Sequence, residues 1–384
     1  MTTGQTEEVR RRAERFNKER LLAAMRGVGV DAVIALSPAN VQYTSGVRMD
    51  VHVLPTLVLT SVDGRQAVVI NEADAQSLPQ QSWIEDVRIL RYGPGADVRA
   101  YELLADLLRE HGLDRSRLGV EGDVLPWNAH ETLRRVAPGA QLDDATGAFE
   151  AARLVKTPAE VDVLAFAASS TVAAIRGAFE AEPVPETELE LAYEIQTRLL
   201  ASGATSLSHA SISAGVRSTL AHAPSTNDVL MPGEVIHVDT GAGFDGYVTD
   251  LARNAIVGAS GGRPAAIYRH LAEIQMQLIE QMAPGVAAGE LFDSAQRAIA
   301  AVGLVHPWGT VGHSIGLSVH EGFELAAGSD AVLEAGMIVN VEPSHIEPGD
   351  ARYHVEDTLL VTADGARLLS DTSPPVRLPS LGGG

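Results

Sequence analysis

Cysteine is absent from the 384-residue chain. That removes disulfides, thiolate zinc sites and cysteine nucleophiles together, so any metal has to be held by oxygen and imidazole. Basic residues are in short supply: 29 Lys and Arg stand against 50 Asp and Glu, a formal charge of −21. Such a field repels phosphate backbones and anionic lipid, which argues against nucleic-acid and membrane-surface partners. The bland role of the acidic excess is solubility. Apolar runs approaching the roughly 20 residues that span a bilayer are lacking. The N-terminal stretch MTTGQTEEVRRRAERF has no apolar signal-peptide core. The expectation is a cytoplasmic protein.

What is present is ordinary globular composition, 45% hydrophobic and 21% charged, with ample material for a core. The length suggests two or three domains. A helical pattern covers Thr6 to about Val28, with Phe16, Leu21, Leu22 and Met25 on one side. β-rich runs follow at Asp31–Leu36, Leu57–Val62, Gln66–Ile70, Val87–Leu90 and Arg117–Val120, with helices over Val98–His111 and Ala129–Val136. Strands alternating with helices imply an N-terminal α/β domain, residues 1–154. Thr157-Pro158 followed by Glu160 reads as a helix start, and Thr187 with Glu190 has capping-box spacing. A second domain, 155–370, then runs helix, helix, strands twice over, which suggests two related halves packed face to face. Its strands are expected at Ala210–Ala214, Val235–Thr240, Tyr247–Val257, Met337–Ile346 and Tyr353–Thr362, and its second helix pair at Pro264–Met282 and Gly289–Val302. The remainder, 371–384, is rich in proline and glycine and is expected to form a flexible tail.

Chemistry concentrates in the second domain. Asp239 lies in the apolar run VIHVDTG and Asp250 in YVTDL, on either side of the turn GAGFDG. A hairpin there brings the two carboxylates side by side. Glu342 lies in MIVNVEP and Glu356 in VEDTLLV, both of which read as buried strands. Four carboxylates in apolar strands are costly without cations, because isolated buried charges cost many kcal/mol. Two divalent ions shared between them remove that cost. His313, in GHSIG, adds an imidazole where small residues let the backbone approach closely, and His222 and His320 lie in AHAP and VHE. Gly241–Gly246 matches GxGxxG after a strand, but the residues that follow read as strand rather than helix, which excludes a dinucleotide fold. His237 shares a strand face with Asp239 and reads as structural or as a support behind a ligand.

The runs VDTGAGFDGYVTDLAR, GHSIGLSVHE, VNVEPS and VEDTLLVT resemble the metal-site segments of the creatinase/prolidase/aminopeptidase P family. The linker RLVKTPAEVDVL and the segment NVQYTSG are similar too, so the resemblance spans nearly the whole chain. It implies a creatinase-like α/β domain followed by a catalytic pita-bread domain. It also implies two divalent metal ions, manganese or else cobalt, zinc or iron. Asp239 would chelate one, Asp250 and Glu356 would bridge both, and His313 and Glu342 would hold the other. His222 and His320 match outer-sphere histidines that contact the substrate carbonyl, and Arg253 matches an arginine that steadies ligand carboxylates. The implied activity is metal-assisted hydrolysis of a C–N amide bond, as an Xaa-Pro dipeptidase or aminopeptidase. The implied partners are a small peptide or amide substrate and a second copy of the chain. The alternative is a small-metabolite hydrolase or lyase on the same scaffold, of the kind that cleaves creatine or opens the ectoine ring. A non-catalytic binding protein is disfavoured because no ligand is missing.

The departures from the family pattern are expected to line the substrate pocket. His354 stands where peptidases carry an arginine for a peptide's carboxylate end, which implies a weaker grip on that group. Ser314 replaces a glycine, Gly322-Phe323-Glu324-Leu325 replaces a proline-containing segment, and Ser344 and His345 replace Gly and an apolar residue.

Overall fold

The computed structural model describes residues 3–49, 54–370 and 376–382. The chain divides into two compact units, residues 1–159 and 160–384.

In the first unit, the helix expected from Thr6 to Val28 is two helices, α1 (Thr3–Glu14) and α2 (Lys18–Val28). Asn17 makes the break. Its side chain accepts from the Arg20 amide and caps α2, a role open only to a residue outside helical geometry. The chain continues through β1 (Ala32–Ala35), α3 (Pro38–Ser45), β2 (Leu57–Ser61), β3 (Gln66–Asn71), α4 (Leu78–Gln81) and β4 (Val87–Leu90). Then come α5 (Ala96–Glu110), β5 (Arg117–Val120), α6 (Trp127–Val136), β6 (Gln141–Asp144) and α7 (Thr146–Leu154). The six strands form one sheet in the order β4-β3-β2-β1-β5-β6, antiparallel only where β2 meets β1 and β3. Strand residues such as Ile34, Leu59 and Val69 pack with Leu104, Leu107 and Leu108 of α5 in one core. β6 has no counterpart in the sequence reading, because QLDD carries a single apolar residue.

The second unit is built twice from a helix pair and an antiparallel sheet. The first set is α8 (Pro158–Phe179), α9 (Glu188–Ala201), β7 (Ser206–Ala214), β8 (Val235–Phe244), β9 (Tyr247–Val248) and β10 (Leu251–Val257). The second is α10 (Gly262–Gln281), α11 (Ala288–Ala301), β11 (Thr310–Ser314), β12 (Glu324–Ala326), β13 (Ile338–Val341), β14 (Ser344–Ile346), β15 (Arg352–His354), β16 (Asp357–Thr362) and β17 (Gly365–Leu368). One sheet runs β10-β8-β7, with β9 on β8; the other runs β12-β11-β13-β16-β17; β14 pairs with β15. Thr187 caps α9 by accepting from the Glu190 amide, but the Glu190 carboxylate reaches back to the Glu186 amide rather than to Thr187. No helix follows Gly241–Gly246: β8 turns directly into β9.

Two expectations are corrected here. Helix α8 is, at 22 residues, long and apolar enough to cross a membrane by length and composition, although no such run was expected. It serves as a core helix: Leu164, Ala168, Val172 and Ile175 are buried, and Glu160 at its start accepts from the Tyr247 hydroxyl. The tail is not loose over residues 376–382. There β18 (Ser380–Leu381) adds in parallel to β10, and Leu378 and Leu381 are buried. Burying those leucines, about 1.5–3 kcal/mol each, outweighs the turn-forming composition around them. Residues 371–375 and 383–384 of that expectation lie outside the described residues.

Candidate metal centre

Asp239 projects from the middle of β8, paired with Ser211 on β7 and Ala252 on β10. The other three carboxylates do not sit within strands, as the sequence suggested, but at interruptions. Asp250 falls between β9 and β10, Glu342 between β13 and β14, and Glu356 between β15 and β16. The ladder β13–β16 ends at the pair Val341–Asp357, and β14–β15 resumes at Ser344–His354. Glu342-Pro343 therefore faces Val355-Glu356 across the gap. Pro343 has no N–H to donate, so the pairing has to open there. The carboxylates are then free of ladder geometry and turn towards one another.

His313 reaches the same space from β11. Its Nε2 lies 3.7 Å from Asp250 Oδ2, 3.9 Å from Glu342 Oε1 and 3.8 Å from Glu356 Oε1. Nδ1 lies 3.2 Å from the Ser314 carbonyl, which holds the proton there and points the Nε2 lone pair at the carboxylates. Close approach around His313 needs Gly312, where a Cβ would stand 2.1 Å from the Asn340 carbonyl. Asn340 is a participant the sequence reading missed: its carboxamide donates to Glu356 Oε1 at 2.9 Å and to the Asp250 carbonyl at 2.8 Å.

His209, also missed, stands at the Asp239 end. Its Nε2 is 3.1 Å from Asp239 Oδ1 and 3.0 Å from Asp250 Oδ1. Asp239, Asp250, His313, Glu342, Glu356, His222 and His320 all line one cavity of about 650 Å³. His222 and His320 are exposed at its rim; the His320 ring stacks on His313 at 3.8 Å between centroids.

Arg253 is buried. It donates to the Glu356 carbonyl and pairs with Asp357 Oδ1 at 2.5 Å, so it grips the backbone behind Glu356. His354 does not line the pocket. It is buried, stacked on His237 at 5.5 Å, and its Nδ1 accepts from Arg352 Nη2 at 3.2 Å. Its proton therefore sits on Nε2, 3.3 Å from Glu342 Oε2. The side chain that does line the cavity is Arg352, two residues earlier on the same face of β15. Its guanidinium lies over the Trp308 ring, 5.4 Å from the centroid, and its Nε has no hydrogen-bond partner among the described residues.

The electrostatics describe a centre short of positive charge. Burial, then the neighbouring carboxylates, hold Glu342 and Glu356 well above the usual carboxylate range. Burial also pushes Asp239 up, but the hydrogen bond from His209 and the nearby histidines outweigh it and leave Asp239 low. Burial lowers His209, yet Asp239 and Asp250 raise it to about 10. Burial pushes His237 down to about 3. Asp250 Oδ1 is buried without a hydrogen bond although it lies 3.0 Å from His209, because one Nε2 proton cannot serve two carboxylates. Divalent cations answer all of these at once. Hard carboxylate oxygens with imidazole nitrogens, and no thiolate, form a donor set that fits them.

A helix pair and antiparallel sheet built twice, around an oxygen-and-imidazole centre, is the pita-bread architecture of a metal-dependent hydrolase. The chain belongs to metallopeptidase family M24, whose pattern matches residues 162–363, just over half its length. The Creatinase/Prolidase N-terminal domain pattern matches residues 18–155. The chain is similar to the Xaa-Pro dipeptidase of Lactobacillus helveticus, 28% identical over 370 residues, covering 94% of this chain and 99% of that one. Among solved structures, the Xaa-Pro dipeptidase from Bacillus anthracis superposes with a TM-score of 0.84 at 26% identity, over 95% of this chain and 99% of that one. The X-Pro aminopeptidase from Thermotoga maritima shares the fold, with a TM-score of 0.82 at 20% identity over 93% and 99% of the two chains.

Proposed function

We propose that the protein is a two-metal Xaa-Pro dipeptidase. The observation that carries this reading is the convergence of Asp239, Asp250, His313, Glu342 and Glu356 on one cavity that also holds the cationic Arg352. In this reading Asp239 would hold one cation and His313 and Glu342 the other, with Asp250 and Glu356 serving both. Manganese or cobalt suits such a set. Bound there, the pair of cations would acidify water and polarise the scissile carbonyl.

The chain's own residues do the rest. Asn340 orients the Glu356 carboxylate by donating to it, and the His354 ring packs beside Glu342. His222 and His320, at the rim, donate to the carbonyl oxygen as charge develops on it. Arg352, rather than His354, takes the free carboxylate of a dipeptide: it presents a permanent charge braced on Trp308 and on the Ala221 carbonyl. The sequence resemblances to Xaa-Pro dipeptidases over almost the full length of both chains support this substrate class. The reading includes a cytoplasmic location and a homodimer, as composition and resemblance imply; size-exclusion chromatography with light scattering checks the latter.

The test is a substrate screen of manganese- and cobalt-loaded protein with Xaa-Pro dipeptides, longer Xaa-Pro peptides, and small cyclic or guanidino amides. Preferential hydrolysis of the dipeptides is expected. Turnover confined to the small amides would replace this reading with the small-metabolite one.

A further inference from the structure

Strand β7 carries an irregularity next to the centre. Its register on β8 runs Ser206–Gly243 and Leu207–Ala242, then skips to His209–Gly241, so Ser208 is an extra, unpaired residue. Paired residues on antiparallel strands share a face, and faces alternate along each strand. From His209–Gly241 to Ala214–Ile236 the register is unbroken, with Ser211 opposite Asp239. His209 therefore shares the face of Asp239, which is two residues from Gly241 on β8. The bulge at Ser208 falls where this regular ladder ends, next to the centre.

Gly241 completes the arrangement. A Cβ there would lie 2.8 Å from His209 Cε1 and 1.9 Å from the Thr249 carbonyl, so only glycine leaves room for the imidazole over the strand. His209 Nδ1 is 3.3 Å from Ser208 Oγ, so the bulged residue itself offers an acceptor for the Nδ1 proton. Nε2 then faces Asp239 Oδ1 and Asp250 Oδ1 at 3.1 and 3.0 Å. Neighbouring ligands about 2.1 Å from an octahedral ion stand about 3.0 Å apart, the distance of Nε2 from each of the two carboxylate oxygens, and ligand atoms of all three residues lie within 4.8 Å of one another. The buried Asp250 Oδ1, without a hydrogen bond, is aimed into the same point. His313 repeats the design at the other end, with Nδ1 tied to a carbonyl and Nε2 turned to Asp250 Oδ2.

We propose that His209 is a metal ligand at the Asp239 end of the centre, so that each of the two cations carries one imidazole. This rests on the two-metal reading above. Nitrogen at that position moves its preference from manganese towards cobalt, zinc or nickel, since imidazole suits these ions better than carboxylate alone does.

The test titrates cobalt(II) into chelator-stripped protein and follows the visible ligand-field spectrum and the two binding constants. Wild type is compared with His209→Ala and with His209→Phe, which fills the space without a donor. In both variants one binding event weakens by about tenfold or more, and its spectrum changes. Added imidazole recovers affinity in His209→Ala only. Two cobalt ions bound by both variants with wild-type affinities and spectra would overturn the proposal while leaving the two-metal centre intact. Wild type that takes up no cobalt would overturn both.

Discussion

Arg352 and His354, two residues apart on β15, are joined by a hydrogen bond of 3.2 Å from the guanidinium to Nδ1 of the ring. The arginine faces the cavity and the histidine faces the ligand Glu342. If Arg352 grips the substrate carboxylate, Arg352→Gln raises KM for Xaa-Pro dipeptides about tenfold or more, worth roughly 1.4 kcal/mol, with a smaller change in kcat. His354→Arg does not improve dipeptide binding: it sets a second guanidinium in a fully buried position beside the first, and lowers stability. Steady-state kinetics and denaturant melts check both. An unchanged KM in Arg352→Gln would return the carboxylate grip to some other residue.

Metal removal has a thermodynamic signature as well as a kinetic one. Exhaustive chelation abolishes turnover, and manganese or cobalt restores it. Chelation also lowers Tm, because cations bound only by the folded state contribute about 2.7 kcal/mol per site at a hundredfold excess over Kd. Full activity at trace metal content contradicts the centre outright.

In the proposed two-metal centre, Glu356→Gln removes one charge from a carboxylate that would serve both cations. Occupancy at both positions falls and the rate drops by orders of magnitude. In metal-free protein the same change has the opposite sign for stability. Burial and the charges of Asp250, Glu342 and Asp239 disfavour the Glu356 carboxylate, so a neutral amide relieves them. Metal analysis and melts with and without cobalt separate the two effects.

His320→Ala separates ligation from catalysis. The side chain is exposed, stacked on His313 and paired through Nδ1 with Glu324 at 3.2 Å. Two metal ions are retained and kcat falls. Loss of metal in this variant would make His320 a ligand.

The Arg253–Asp357 pair is the buried strut behind Glu356, with side chains only 4% and 0% exposed. Arg253→Met alone leaves the Asp357 charge without its partner and costs about 3–5 kcal/mol. Arg253→Met with Asp357→Leu costs less than the sum of the two single changes, read from denaturant midpoints. Additive losses would mean the two side chains are not coupled.

The amino-acid sequence by itself determined the chemistry of the centre. Asp239, Asp250, Glu342 and Glu356 stand in apolar runs where only cations make them tolerable, and the absence of cysteine restricts the donors to oxygen and imidazole. It determined the two-unit order as well, because helix and strand periods alternate in one half and form two helix-pair-and-strand sets in the other. Tertiary structure alone decided the rest. His209 joins the centre only because the β7–β8 register sets it beside Asp239, and no local pattern in SLSHAS marks that register. Arg352 and His354 divide their tasks because β15 sits between the Glu342 and Glu356 interruptions, where the loss of pairing at Pro343 sets which side chain meets the cavity. The tail docks because β10 has a free edge for β18 to pair with. Register and edge pairing depend on contacts far apart in sequence, and such contacts leave no period to read.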